Sequence, residues 1–281
     1  MKPLLISILI LCCLPTVLIY GNDDAGLIKN ALEIHQRVLT VDTHTDTPFM
    51  FLRKGYDIGK WNDSRKGGGK VDFPRMKKGG LDAVFLAVFI GQGKRTPEFN
   101  LKAKNHAIKL FDQIHSNVKR YPKLAALGLK SGDAAALEKK GKRTVYIGIE
   151  NGYPVGKDLS LIRYFYRLGA RYITLCHTRN NDICDSSTDK EEHGGLSVFG
   201  KKVVKEMNRL GMIIDVSHMS DKAFYDVLKL SKAPVIASHS CARAICDNPR
   251  NLSDDMLKKL KENGGVIQVC ILSDYVKKLK Q

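Results

Sequence analysis

Of the 281 residues, 43% are hydrophobic and 27% charged. These are the proportions of a folded soluble chain with a substantial core, which excludes a disordered polymer or a small disulfide scaffold. Lys and Arg number 46 against 29 Asp and Glu, a formal charge of +17 that would suit a polyanion, yet the basic residues are scattered as pairs such as Lys77-Lys78, Lys139-Lys140 and Lys201-Lys202. With no dense basic block and no interleaved aromatics, the charge reads as solvated helix faces, and no nucleic-acid partner is expected.

At the amino terminus Lys2 is followed by a nearly unbroken apolar run over residues 4–19, with polar residues resuming at Asn22. This is the layout of a secretory signal over residues 1–21, ahead of one domain over residues 22–281, and the expected location is exported: secreted, periplasmic or on the cell surface. The run is shorter than the roughly 20 residues a membrane span requires, so no permanent transmembrane anchor is expected. Cys12 and Cys13 leave a lipid-anchored form open. The remaining cysteines, Cys176, Cys184, Cys241, Cys246 and Cys270, form no Cys-x-x-Cys pair and read as small residues buried beside strands, with one bridge at most.

From residue 25 onward short β-branched runs alternate with amphipathic segments of 3.6-residue period. In chain order the pattern predicts strands at 39–42 and 83–89, a helix at 101–118, a strand at 144–149 and a helix at 159–168. Next come a strand at 172–176, a helix at 198–210, a strand at 212–216 and a helix at 223–230. A strand at 235–237, a helix at 256–261 and a strand at 266–271 complete the series. Ser220 and Ser253 stand at N-cap positions, and Gly211 and Gly264 where helices end. Alternation of this kind implies a parallel sheet with crossover helices, and the length suits a single α/β domain such as a TIM-type barrel.

The carboxyl ends of these strands carry the chemistry. His44 and Asp46 follow the first strand, Glu150 the third, His177 the fourth, His218 the fifth and His239 the sixth. In a parallel barrel such positions meet at one mouth, where active sites are built from the ends of different strands. His35, His106, His115 and His193 lack this phase and read as ordinary helix or loop residues. Two-residue spacing lets His44 and Asp46 face one cation, while His218 and His239, from neighbouring strands, can hold a second. Glu150 lies between the groups and can bridge them. Imidazole and carboxylate donors suit zinc or a similar divalent ion. A pair of such ions roughly 3.5–4 Å apart would share a bridging hydroxide and hydrolyse a carbonyl substrate. His177 is left either to donate to the oxyanion or to act as a third ligand at one metal.

At these residues the sequence resembles the membrane, or renal, dipeptidase family, zinc peptidases on a (β/α)8 barrel. The similar stretches are Val41-Asp42-Thr43-His44-Thr45-Asp46-Thr47-Pro48, Gly148-Ile149-Glu150-Asn151-Gly152, Leu175-Cys176-His177-Thr178, and the run from Gly195-Leu196-Ser197 through Asp215-Val216-Ser217-His218 to Ser238-His239-Ser240. The resemblance implies two zinc ions per chain, His44 and Asp46 on one, His218 and His239 on the other, with Glu150 bridging and catalytic. It implies that His177 contacts substrate and takes part in catalysis, and that Arg250, in Asn248-Pro249-Arg250-Asn251, binds the free carboxylate of a dipeptide. Tyr275 is implied as an aid to Arg250. A homodimer stays open.

One departure stands out. After the seventh predicted strand only residues 273–281 remain, helical in pattern over 274–280, so the barrel is expected to lack its eighth strand and the aspartate which that strand delivers in the family. The expectation is a fragment of a longer chain. Two other readings stay in view: a metal-dependent amidohydrolase acting on cyclic amides or N-acyl amino acids, and a truncated, catalytically dead metal-binding protein.

Overall fold

The segment Ala83–Phe89 contains no polar residue, and Arg143–Glu150 is buried throughout; such strands can be accommodated only where both faces of a sheet are covered. The computed structural model, which describes residues 22–277, puts these two strands side by side in a parallel sheet. The expected signal segment lies outside the described residues. Helix α1 (Asn22–Arg37) belongs to a separate unit, and the unit beginning at Leu39 carries the sheet.

The strands are β1 (Val41–Thr45), β2 (Ala83–Phe89), β3 (Ala125–Leu127), β4 (Arg143–Glu150), β5 (Ala170–Thr174), β6 (Ile213–Asp215), β7 (Ile236–Ser240) and β8 (Val266–Val269). Between and after them lie α2 (Phe73–Gly79), α3 (Pro97–Arg120), α4 (Asp133–Glu138), α5 (Ser160–Arg167), α6 (Val198–Leu210), α7 (Asp221–Leu230), α8 (Asp254–Glu262) and α9 (Ser273–Val276). Every pairing is parallel, in the order β1-β2-β4-β5-β6-β7-β8, with β3 attached to β4 alone. The chain thus forms the TIM-type α/β barrel expected, nearly closed. All seven predicted strands are present. The first begins and ends later than predicted and so contains His44, and the sixth extends to Ser240 and contains His239. Among the described residues no strand follows β8, and the eighth member of the sheet is the earlier, unpredicted β3.

Alternation divides the strand residues between two apolar clusters. Val84, Leu86, Val88, Val145, Ile147, Ile149 and Ile173 point outward and pack with Leu110, Phe111 and Ile114 of α3, Phe165 of α5, Val203 and Met207 of α6, and Phe224 of α7. Ala83, Phe85, Tyr146 and Tyr172 point inward and make a small interior cluster. There Phe85 stacks on Tyr146 and Tyr172 with ring centroids 4.9 and 5.2 Å apart, filling the barrel below its mouth. The helices begin as predicted: Ser220 and Ser253 accept from the backbone amides of Ala223 and Met256. Gly211 caps α6 at φ 71°, a left-handed conformation that favours glycine.

No backbone ladder joins β8 to β1 among the described residues. Gln268 bridges that seam with its side chain: the Thr43 amide donates to Oε1 at 2.7 Å, and Nε2 donates to the Val41 carbonyl at 2.8 Å.

Gly148 sits on the interior face of β4 against Tyr172. A Cβ built there would stand 2.0 Å from the ring carbon Cζ, and the ring is fully buried. Gly148→Ala is therefore expected to destabilise the protein by about 1–3 kcal/mol, the usual cost of overpacking a close-packed core, as measured by urea unfolding.

Candidate metal centre

β4 lies inside the sheet, and its last residue, Glu150, faces the mouth at 3% exposure. Around it stand imidazoles from four other strand ends. Glu150 Oε1 lies 3.0 Å from His218 Nε2, 3.3 Å from His239 Nε2 and 3.7 Å from His177 Nε2. Oε2 lies 3.5 Å from His44 Nε2. The rings also pack on each other: His44 stacks on His239 at 3.8 Å between centroids, and His177 lies 4.2 Å from His218. Ladder irregularities in the β1–β2 and β7–β8 pairings flank His44 and His239, and such irregularities re-aim side chains at the rims of barrels.

The structure gathers four of the five expected metal ligands, His44, Glu150, His218 and His239, into one cluster together with His177, and leaves the fifth, Asp46, at its edge. Two sets of donors lie within 4.8 Å of one another: His44, Glu150 and His239, and Glu150, His177 and His218. Glu150 is common to both, as a bridge requires, but His239 groups with His44, and His177 with His218. Asp46 approaches His44 Nε2 at 3.6 Å with its side chain 57% exposed. The donor chemistry fits a divalent cation. His218 Nε2 and His239 Nε2 are only 2.9 Å apart beside the carboxylate, and His218 Nδ1 is buried without a hydrogen-bond partner. His218 is also one of two non-glycine residues at positive φ among the described residues, 73°, a strained conformation of the kind that clusters at functional sites.

Charge explains the protonation pattern. Burial works against a charged His44, but the Glu150 carboxylate, helped by Asp46, outweighs it and raises the pKa to about 10. Burial would likewise raise Glu150, yet charged His44, with the imidazoles of His218 and His239 beside the carboxylate, holds it well below the ordinary carboxylate range. Burial pushes His218 and His239 down, with Arg250 reinforcing the effect on His218 and His44 that on His239. His177 is also lowered, by burial against the opposing pull of Glu150.

Arg250 is 3% exposed. Its Nη2 donates to the His239 carbonyl at 3.0 Å and its Nη1 to Ser240 Oγ at 3.4 Å, while Nε is buried with no partner. No described carboxylate pairs with it, and the Tyr275 ring lies 5.2 Å from the guanidinium carbon. A buried cation beside the cluster, with no described carboxylate paired to it, is chemically suited to an anionic group. Sequence reasoning overlooked Tyr172, whose hydroxyl lies 2.9 Å from His44 Nδ1, and Phe89, whose ring lies 4.8 Å from that of His177. Phe89 shares the inward face of β2 with Ala83 and Phe85, and strand alternation is the signal that would have found it.

A parallel barrel whose strand ends surround one buried carboxylate with imidazoles defines a class, the barrel proteins equipped to bind catalytic metals. Within it, the chain matches the family described as membrane dipeptidase, peptidase family M19, over residues 28–281, and it belongs to that family. It is 33% identical over 259 residues to the dipeptidase AclJ of Aspergillus oryzae, covering 89% of this chain and 61% of that protein. It is 35% identical over 257 residues to dipeptidase 3 of Mus musculus, covering 88% of this chain and 50% of that protein. Among solved structures, a protein described as the probable dipeptidase PvdM from Pseudomonas aeruginosa superposes with a TM-score of 0.84 at 33% identity, over 91% of this chain and 66% of that one. The chain thus spans between half and about two-thirds of the length of these relatives. No described helix is long and apolar enough to cross a membrane.

In chelator, Glu150→Gln removes the buried carboxylate that contributes most to the charge of His44. Because the folded pKa of His44 lies above its unfolded value near 6.5, this pair stabilises the protein at low pH and its contribution fades as pH rises from about 6.5 to 10. The variant is expected to lose about 3–5 kcal/mol at pH 6 and progressively less towards pH 10, as read by urea denaturation at each pH.

Proposed function

We propose that this chain hydrolyses dipeptides at a centre of two zinc ions bridged by Glu150, with His44 and Asp46 completing one site and His218 and His239 the other. The observation that carries the reading is the division of the Glu150 carboxylate, one oxygen turned to His218 and His239 and the other to His44. When bound, such a pair would supply Lewis acidity towards the scissile carbonyl and an activated water as nucleophile. Family membership and relatives named as dipeptidases support the peptide bond as the target.

The chain's own groups then select and orient the substrate. Arg250, already buried and short of an anion, takes the dipeptide carboxylate, and Tyr275 packs against the guanidinium to hold its plane. His177 stands 3.7 Å from Glu150 Oε1 with its pKa lowered, so at neutral pH it is an uncharged imidazole able to donate a hydrogen bond to the oxygen that gains charge. The apolar amino-terminal run supports export, with the dipeptide met outside the cytoplasm.

Two measurements on the purified protein test this reading. The first is metal content after zinc loading. The second is turnover of Gly-Leu against a cyclic imide and an N-acetyl amino acid. About two zinc ions with preferential dipeptide turnover supports the reading; zinc without any hydrolysis supports a dead metal-binding protein, and preference for the imide or the N-acetyl substrate overturns the dipeptidase assignment. Arg250→Ala is expected to lower kcat/KM for Gly-Leu by about 10–100-fold, mainly through KM, matching the loss of a charge-assisted hydrogen bond, while the amidated dipeptide changes little.

A further inference from the structure

Beneath the imidazoles lies a second, fully buried polar layer. Asp215, the last residue of β6, and Ser238, in β7, have relative exposures of 0% and 3%. Asp215 Oδ2 accepts from Thr174 Oγ1 at 2.5 Å and from Ser238 Oγ at 2.6 Å. Oδ1 accepts from the backbone amides of Ser217 at 3.1 Å and Ser238 at 2.9 Å. Ser238 Oγ is also 2.7 Å from His239 Nδ1. These contacts determine where the protons lie. A carboxylate only accepts, so the single hydroxyl proton of Ser238 points at Asp215, and the serine oxygen must accept from His239 Nδ1–H. His239 is thereby held in the tautomer whose Nε2 carries a lone pair. That bare nitrogen faces Glu150 Oε1 at 3.3 Å and His218 Nε2 at 2.9 Å.

We infer that Asp215 and Ser238 form a positioning relay, Asp215–Ser238–His239, which fixes the tautomer and aim of His239 so that Nε2 presents a lone pair to a divalent cation. The inference rests on the proposed metal role of His239. It names two positioning residues that act on the metal only through the imidazole, as partners of a metal-ligating histidine commonly do.

The relay makes an unusual prediction because an amide reverses it. In Asp215→Asn the carbonyl can still accept both backbone amides, but the NH2 group donates to Ser238 Oγ. The serine proton then turns to His239 Nδ1, and the imidazole proton moves to Nε2, where it blocks coordination. The same logic governs an aspartate-to-asparagine change behind a catalytic histidine. Deleting the serine hydroxyl as well removes the reversed donor, so the double variant should bind metal better than Asp215→Asn alone. A merely structural role predicts that the two losses accumulate.

The experiment measures zinc affinity by competition with a chromophoric chelator, alongside circular dichroism and melting of the metal-free protein. Ser238→Ala is expected to weaken zinc binding about 10–100-fold and Asp215→Asn at least as much, with Asp215→Asn/Ser238→Ala tighter than Asp215→Asn. Ser238→Thr, which keeps the hydroxyl, should stay within about threefold of wild type. Wild-type affinity in folded Ser238→Ala or Asp215→Asn, or a double variant weaker than Asp215→Asn, overturns the relay while leaving the metal centre standing. If Asp215→Asn fails to fold, the contrast between Ser238→Ala and Ser238→Thr decides. A wild-type chain that takes up no zinc overturns the metal reading and this inference together.

Discussion

A carboxylate buried at the end of a central strand has to be compensated, and the site is arranged around that requirement. Left alone, an ionised Glu150 at its depth would cost several kcal/mol. The imidazoles that surround it come from four other strands, so compensation depends on those strands arriving at the same height and tilt. The barrel supplies this: β4 pairs with β2, β3 and β5, and the outer helices press the whole sheet into place. The dependence also runs the other way. His44 holds its charge because Glu150 is there, while burial disfavours charge on His218 and His239, with Arg250 adding to the effect at His218 and charged His44 at His239.

Along the barrel axis the chemistry is layered. Lowest lies the aromatic fill of Phe85, Tyr146 and Tyr172, which leaves dense, non-polar packing beneath the site. Above it, hydroxyls and the Asp215 carboxylate consume one another's hydrogen bonds almost completely. Above that, imidazole nitrogens converge on the Glu150 carboxylate, and beside them lies a guanidinium with no described carboxylate of its own. Polar satisfaction thus falls from the interior to the mouth, and the groups left wanting partners are the ones suited to a cation and an anion.

Much of this was legible in the sequence because the parallel barrel imposes a phase. Glu150, His177, His218 and His239 could be recognised from their place after apolar runs, without knowledge of contacts. What escaped detection obeys other rules. Ala125–Leu127 has no β-branched residue and is too short to show a period; it is a strand only because β4 offers it an edge. The stacking of His44 on His239 depends on side-chain direction near an irregular ladder, where two-residue periodicity breaks down. Asp46 looked equivalent to His44 by that same periodicity, but the strand ends at Thr45 and its carboxylate turns towards solvent. The burial of Arg250 came from loop packing, which no local pattern encodes. Tyr172, Ser238 and Asp215 did carry a signal that went unused: polar side chains inside otherwise apolar strands.

The Gln268 bridge changes what kind of property barrel closure is. Where two strands share a ladder, joining them is the work of repeated peptide groups and survives nearly any change of side chain. Here β1 and β8 meet through one amide, with a second tie from Thr43 Oγ1 to the Ser238 carbonyl of β7, so cohesion at that flank rests on two side chains, and a shorter or apolar residue at 268 would loosen β1 from β8 while leaving the ladders elsewhere in place. His44 rides on one of those strands. Mutational drift at a position remote from every reacting atom can therefore reach the mouth by loosening the stave that carries it.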